Sequence, residues 1–192
     1  MANPSINDLD QLQQLLAAAQ KYEISVALEG LRLALVSPTF VEADPVRVYA
    51  IACKFGLPLE ARMSSRYTLS VDILQISQFE ELSQITATDY LRLVRLHQNR
   101  IQQVLEQLDS MLPLAHGCGS EPRWWTVWKD CAVEELKKRP TSKFVFDPAF
   151  VMSCVKRASK HCKECSNNFM SGATSSWLAV LKARIDALPD TI

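Results

Sequence analysis

The sequence has little glycine and no excess of charge of either sign. Five of its 192 residues are glycine, and they do not form the glycine-rich loop that binds phosphate groups. The 21 Lys and Arg residues balance the 21 Asp and Glu residues, so no overall field attracts the chain to nucleic acid or to an anionic membrane. We therefore expect neither nucleic acid nor membrane as a partner.

The sequence also lacks long apolar runs, secretion signals and catalytic motifs. No window approaches 18 uninterrupted apolar residues, and Met1–Asp10 has neither the basic start nor the apolar core of a signal peptide. No nucleophile elbow and no paired-carboxylate motif occurs. We therefore expect an intracellular protein, cytoplasmic or nuclear, that is not an enzyme.

Apolar residues instead recur at helical spacing along most of the chain. Asn7 is predicted to cap a first helix with its apolar side at Leu9–Ala19, and a second stripe occupies Ile24–Leu35. Asp44-Pro45 and Asp147-Pro148 predict two further helix starts, because aspartate caps a helix and proline fits its first position.

These patterns predict an all-α fold, an irregular bundle of about eight to ten helices. Thr86-x-x-Asp89 resembles a capping box at the start of the longest helix. Lys143–Phe146 is at most one short extended segment. The segment Leu114–Pro122 contains two glycines and a proline between long helices. It predicts a division into residues 1–113 and 114–192.

A cysteine pair with metal-ligand spacing lies in the second region, at Cys162 and Cys165. Structural zinc takes four ligands, commonly Cys₄ or Cys₃His. Cys118, in the glycine-flanked loop, is the best third candidate, and His116 or alternatively His161 is the fourth. The cofactor expectation is therefore none, or one structural zinc ion.

The other cysteines, the histidine and the tryptophans favour structural roles. A redox role for the pair would need it at a helix start, whereas it follows a predicted helix end. His97 lies on the apolar side of the long helix, with no matched nucleophile nearby. Trp124 and Trp128 share one helical face and predict core packing, which leaves Trp125 as the exposed ring. Three further cysteines within predicted helices are expected to be small core residues: Cys53, Cys131 and Cys154.

Two adjacent stretches, Leu12–Leu35 and Asp44–Leu69, each predict a pair of short helices. In the first, the alanine-rich Ala17–Tyr22 ends in Lys-Tyr and a leucine-spaced helix follows. In the second, the helix Tyr49–Gly56 ends at its glycine, and Glu60–Leu69 forms the next. Together they resemble the closing helices of a BTB/POZ domain and the BACK-like helical region that follows it in fungal BTB-domain proteins.

This resemblance covers about residues 9–112 and implies an interaction scaffold. In that family the BTB core forms homodimers, and some members hold a cullin ubiquitin ligase. The strands and first helices of such a core would precede Leu9, so the resemblance implies neither tight dimerisation nor cullin binding for this chain. It implies that part of the stripe of Leu12, Leu15 and Leu16 is exposed.

The sequence therefore predicts a non-catalytic protein–protein interaction module with a protein partner. It resembles the post-BTB region of a ubiquitin-ligase adaptor or regulatory scaffold. The alternative is a small structural zinc protein with a regulatory partner.

Overall fold

The computed structural model describes residues 6, 8–76, 79–111, 122–160, 162 and 172–192. All regular secondary structure in these residues is helical, as the sequence predicts, and no strand occurs among them. A 3-10 turn, Glu80–Gln84, precedes α6. The α-helices in chain order are α1 (Leu9–Lys21), α2 (Ser25–Leu35), α3 (Pro38–Ala43), α4 (Pro45–Lys54), α5 (Pro58–Thr68), α6 (Ala87–Ser110), α7 (Arg123–Leu136), α8 (Ser142–Val145), α9 (Pro148–Ser159) and α10 (Gly172–Asp186).

The chain divides into two compact units. Unit 1 runs to Leu96 and also contains Asp190–Ile192, and unit 2 runs from His97 to Pro189. The division falls inside α6, whereas the sequence placed it after residue 113, beside a segment that lies mostly outside the described residues. The first part of α6 therefore belongs to unit 1 and the second part to unit 2.

The helix starts follow local sequence chemistry. Asp44 accepts a hydrogen bond from the backbone N of Arg47 at 3.3 Å, and Asp147 accepts one from Ala149 N at 2.8 Å, so both predicted caps are confirmed. At α1 the cap is Asp8, whose carboxylate accepts from the backbone N of the third helical residue at 2.6 Å. The predicted cap Asn7 lies outside the described residues. Four helices have proline in their first turn: α3, α4, α5 and α9.

Thr86 caps the start of α6, as the predicted capping box requires of its first residue. The hydroxyl of Thr86 accepts from the backbone N of Asp89 at 3.1 Å and donates to its carboxylate at 2.6 Å. The Asp89 carboxylate thus binds the Thr86 hydroxyl, whereas the Glu or Gln of a full capping box binds the backbone N of the cap residue.

Helix α4 is the centre of unit 1. Val48, Ala50, Ile51 and Ala52 are each 0% exposed, so α4 is apolar on most sides, as a core helix is. The hydroxyl of Tyr49 donates to the backbone O of Asp89 at 2.8 Å. A buried phenol needs such a partner, because an unpaired polar group in a core is destabilising.

Unit 2 is built around four tryptophans. Trp125 and Trp128 are 0% exposed and Trp124 is 2% exposed. Trp125 stacks on Trp128 with ring centroids 5.1 Å apart and meets Trp177 edge-on at 4.9 Å. The prediction that Trp125 is the exposed ring is therefore wrong, because Trp177, from the distant α10, covers the side of α7 that the helical spacing left open.

Helix α8 is a short helix where the sequence predicts no helix. The segment expected to be extended at most, Lys143–Phe146, instead lies largely within helical α8. Trp128 Nε1 donates to the α8 carbonyl of Val145 at 2.9 Å.

At the end of α10, the buried guanidinium of Arg100 donates to the carbonyls of Ile185 at 2.7 Å and Pro189 at 3.1 Å. Carbonyls at a helix end have no partner within the helix, so Arg100 caps α10.

The helices described here include none with the length and apolar content needed to span a bilayer.

Candidate functional site

Helix α5 turns large apolar side chains outward. Leu59 is 62% exposed, Met63 is 52% exposed and Tyr67 is 36% exposed. Their spacing of four residues places them along one side of the helix, one above the other. We call these three side chains the α5 stripe. Arg62 and Arg66, both exposed, flank it.

The opposite side of α5 is buried and carries small residues. Ala61 is 4% exposed, and Ser64, Ser65 and Thr68 are each 0% exposed. Ser64 Oγ donates to the carbonyl of Glu60 at 2.8 Å, so its hydroxyl is satisfied within its own helix. Small buried side chains let α5 pack closely on α4. The usual pattern, with large apolar residues inside and polar ones outside, is thus reversed on this helix.

An ion pair joins α5 to α2. Arg32 Nε donates to the nearly buried carboxylate of Glu60 at 2.8 Å. The hydrogen bond with Glu60, followed by its negative charge, raises the pKa of Arg32 above its usual value. This pair links α2 to α5 through Glu60 and involves none of the three side chains of the α5 stripe.

The first two helices differ in the apolar surface that they expose. Leu12 and Leu16 are 0% exposed, and Leu15 is 40% exposed. The expectation that part of this stripe is exposed is therefore met by Leu15, while Leu12 and Leu16 pack into the core of unit 1. Helix α2 instead exposes Val26 at 84% and Leu33 at 70%.

A cavity of about 370 Å³ adjoins the α5 stripe. Met63 and Tyr67 line it together with Val36, at the end of α2. Asp190 and Thr191 also line it. The cavity thus continues the stripe with a lining of both apolar and charged side chains.

The segment Asp190–Ile192 packs along α5. The carboxylate of Asp190 pairs with Arg66 at 2.7 Å, and the backbone N of Ile192 donates to Ser65 Oγ at 3.2 Å. Arg62 Nε contacts the hydroxyl of Thr191 at 3.4 Å, and among the described residues no carboxylate lies within ion-pair distance of Arg62. The side of the stripe next to Arg62 is therefore positively charged.

A second cavity in unit 1, of about 310 Å³, contains Tyr49, Cys53 and Arg92. Burial raises the pKa of the Cys53 thiol to about 11. Burial also raises the pKa of Tyr49 well above that of a free phenol. Both groups keep their protons near neutral pH, so this cavity supplies no activated nucleophile.

Of the proposed zinc ligands, Cys118, Cys165, His116 and His161 lie outside the described residues. Cys162 is described: it follows α9, with its backbone N donating to the carbonyl of Ala158 at 3.1 Å. Its side chain is partly buried against the core of unit 2. Within the described ranges no group of three potential metal ligands occurs.

The remaining candidates are core residues. His97 is 3% exposed, as its place on the apolar side of α6 predicts. Cys154 is 1% exposed, and Cys53 and Cys131 are partly buried.

Sequence reasoning missed the α5 stripe. The sequence pattern predicts a helix over Glu60–Leu69, but not that the large apolar side chains of α5 face outward. The signal was present, since Leu59, Met63 and Tyr67 recur every four residues.

No family model, no curated protein and no solved structure matches the chain.

Proposed function

We propose that this chain is a non-catalytic protein–protein interaction module that binds its partner through the α5 stripe. The observation that carries this proposal is the reversed arrangement of α5, with small residues inside and Leu59, Met63 and Tyr67 outside. The fold does not use these three side chains for its core. An ordered row of exposed apolar side chains is characteristic of interaction sites, whereas single exposed ones are ordinary.

The composition of the surface supports the proposal. Tyrosine, methionine and arginine are enriched at protein–protein interfaces, and tyrosine and arginine supply much of the binding energy there. All three surround the adjoining cavity, as Tyr67, Met63, Arg62 and Arg66. Methionine is flexible enough to fit an irregular partner surface.

The charges indicate the chemistry of the partner. Arg62 has only a hydroxyl contact to Thr191, so its positive charge is available to a carboxylate. We therefore expect a partner protein with an aliphatic or aromatic surface bordered by Asp or Glu. A second copy of this chain is a different outcome, which sedimentation of the purified chain identifies.

The test uses a double variant, Leu59→Gln with Met63→Gln. Glutamine is a good helix former, so the change removes apolar surface without breaking α5. The matched control is Leu74→Gln, which alters a side chain that is 81% exposed and lies outside α5. Proximity labelling and quantitative mass spectrometry compare the three proteins in cells, and purified candidates are then titrated by calorimetry.

We expect at least one protein to be captured by the wild type and the Leu74→Gln control but not by the double variant. Its affinity for the purified double variant should fall by tenfold or more. The Arg62→Glu change should also weaken binding, in a salt-dependent way. Equal affinity of a purified partner for wild type and double variant would exclude the stripe as its binding site.

The relation to the post-BTB region of fungal BTB proteins remains a proposal that rests on the sequence pattern. The alternative, a small structural zinc protein, rests on a site of which Cys162 alone is described. Elemental analysis of chain purified without chelator separates the two. A stoichiometric zinc ion that disappears in the Cys162→Ser variant would favour the alternative.

A further inference from the structure

The segment Asp190–Ile192 lies on α5 in the manner of a bound peptide. It has no regular secondary structure, and it contacts α5 through both its backbone and its side chains. The backbone N of Ile192 donates to Ser65 Oγ at 3.2 Å, and the Asp190 carboxylate pairs with Arg66 at 2.7 Å. The two residues of this ion pair are 124 positions apart in the sequence.

Ser65 is a buried polar residue that holds the backbone of the segment. It is 0% exposed, and its hydroxyl donates to the carbonyl of Arg62 at 2.8 Å. A hydroxyl that donates one hydrogen bond can still accept another, and Ser65 accepts it from the backbone of Ile192. Such a contact holds a peptide backbone whatever its side chains are, whereas neighbouring pockets select the side chains.

Ile192 packs beside a volume that it leaves unfilled. Its side chain is partly buried against the core of unit 1, and it lines the cavity of about 310 Å³ together with Tyr49, Leu57 and Ala61. A larger apolar side chain at this position would bury more surface and make more contacts with the lining residues. The segment is therefore not the best ligand for this surface.

The charged contacts of the segment are exposed to solvent. The side chains of Arg66 and Asp190 are 52% and 32% exposed, and Arg62 Nε contacts the hydroxyl of Thr191 at 3.4 Å. Exposed ion pairs contribute little to stability, so an acidic group of another chain can replace the Asp190 carboxylate at small cost.

We propose that this surface of α5 is a peptide-binding site from which a segment of a partner protein displaces Asp190–Ile192. The partner segment has an acidic residue, then any residue, then a large aliphatic or aromatic residue. Its acidic group pairs with Arg66, its backbone binds Ser65, and its apolar side chain fills the cavity. This inference rests on the proposed function, because the partner that covers the α5 stripe supplies the segment, and the stripe shares a cavity with the same surface.

The segment of the chain itself then competes with the partner. A segment tethered to the same chain has a high local concentration at its site, so it occupies the surface most of the time. The apparent dissociation constant of a partner segment rises as the free fraction of the site falls. Detaching Asp190–Ile192 should therefore strengthen the binding of an added peptide.

The test titrates the full chain with a synthetic peptide of residues 187–192, acetylated and amidated so that its ends carry no charge. Chemical-shift changes of the nitrogen-15-labelled chain measure the affinity. A variant with Asp190→Lys and Ile192→Ser, called the open variant, lacks the ion pair and the apolar side chain of its own segment. We expect the open variant to bind the peptide about tenfold more tightly than the wild type.

Three altered peptides test the pattern on the open variant. Ile192→Phe in the peptide should tighten binding about threefold, because the larger ring fills the cavity, and Ile192→Ala should weaken it about tenfold. Asp190→Lys in the peptide should weaken binding at least tenfold, because the lysine faces Arg66. Equal affinities for all four peptides would overturn the proposal.

Two arginine variants, each added to the open variant, test the site itself. Arg66→Glu should weaken binding of the original peptide at least tenfold and should favour the Asp190→Lys peptide. Arg95→Glu is the matched control, because Arg95 is exposed on α6, and it should leave the affinity unchanged. Equal effects of the two variants would overturn the proposal.

The role of the segment in the fold and the identity of its occupant have separate readouts. A melting temperature of the open variant more than about 10 °C below that of the wild type would show that the segment belongs to the fold, and would overturn the proposal. Equal affinity of the peptide for the wild type and the open variant would also overturn it. A wild-type dimer in sedimentation that the open variant lacks would make a second copy the occupant, in place of a different partner.

These titrations need no partner protein, so they fail independently of the proposed function. The proposed function fails if a purified partner binds the variant with Leu59→Gln and Met63→Gln as tightly as the wild type. The peptide site fails if the peptide does not discriminate between the variants described here, whatever the partner does.

Discussion

The two units place their large apolar side chains differently. Twelve large apolar side chains of the described residues are exposed. Ten of them lie in unit 1, and the other two are Met152 and Val180 in unit 2. All four tryptophans lie in unit 2, and the rings of three of them are at most 2% exposed. Unit 2 thus covers its largest apolar side chains, and unit 1 leaves many outside.

The polar groups in the two interiors also differ. In unit 1 the buried carboxylate of Glu81 pairs with Arg47 at 2.6 Å, and Arg47 also pairs with Asp10. In unit 2 the buried guanidinium of Arg100 donates to backbone carbonyls, including that of Ile185. The buried carboxylate of unit 1 is therefore part of a charge network between side chains, whereas the buried guanidinium of unit 2 binds carbonyls at the end of a helix.

This difference agrees with the proposal that unit 1 carries a binding surface, while unit 2 serves as a framework. A unit that exposes an ordered apolar stripe loses the stabilisation that burial of those side chains would give. Such an arrangement is expected where a partner surface covers the stripe. A unit that encloses four indole rings gains stability from the same kind of side chain. The following variants test whether the two units differ in this way.

The largest effect is expected in the tryptophan cluster. Trp128→Ala should destabilise the protein by about 4 kcal/mol, because it leaves a large cavity and removes the donor to the Val145 carbonyl. Urea unfolding followed by circular dichroism measures the loss. A change of under 1 kcal/mol would mean that the cluster is not the framework of unit 2.

Phenylalanine variants separate the cavity from the hydrogen bond. Trp128 Nε1 has its partner at 2.9 Å, whereas Trp125 Nε1 is buried with no hydrogen-bond partner in the described structure. Trp128→Phe should therefore destabilise the protein by about 1 kcal/mol more than Trp125→Phe does. Equal losses would show that packing alone decides the stability at both positions.

The next effect concerns the cap on α10. Arg100→Met keeps the length of the side chain but removes every donor, so the carbonyls of Ile185 and Pro189 lose their partner. We expect a loss of about 3 kcal/mol. Arg184→Met is the control, because Arg184 is exposed in the last turn of the same helix and should change stability by less than about 0.5 kcal/mol. Similar losses for the two variants would contradict the assignment of Arg100 as the cap.

A smaller effect, with a pH signature, is expected in unit 1. Burial tends to raise the pKa of Glu81, but the hydrogen bond and the charge of Arg47 outweigh it, so the pKa lies below the usual glutamate range. A lowered pKa means that the carboxylate stabilises the fold above the unfolded-state pKa of about 4.3. This stabilisation is lost as the pH falls through the lower folded-state pKa.

Glu81→Gln should thus destabilise the protein by about 2 kcal/mol at pH 7, with the difference from wild type shrinking below about pH 4. Urea unfolding over this pH range measures it. Glu80→Gln, at the exposed neighbouring position, should show no such trend. A pH-independent difference for Glu81→Gln would mean that the ion pair with Arg47 does not form.

The sequence predicts local features of this fold well. Caps at Asp44 and Asp147 depend on residues within one turn, and their partners could be inferred from the chain nearby. The same is true of the cap at Thr86. Interactions of this range do not depend on how helices pack, so local rules are sufficient.

The errors concern contacts between distant segments. Trp125 is buried because Trp177 covers it from α10, 52 positions later in the sequence. The α5 stripe was missed because burial of small residues cannot be read from hydrophobicity, which assigns the inner side to the largest apolar residues.

The smallest effect on stability is expected at the α5 stripe itself. Leu59 and Met63 are 62% and 52% exposed, so replacing both with glutamine removes little buried area. Glutamine also retains helix propensity. The free energy of unfolding should change by less than about 0.5 kcal/mol, as for the Leu74→Gln control. A loss of 2 kcal/mol or more in urea unfolding would show that the stripe supports the fold, and the contrast between the two units would then lose its basis. A small change in stability, together with a tenfold loss of partner affinity, is the combination expected of side chains retained for binding.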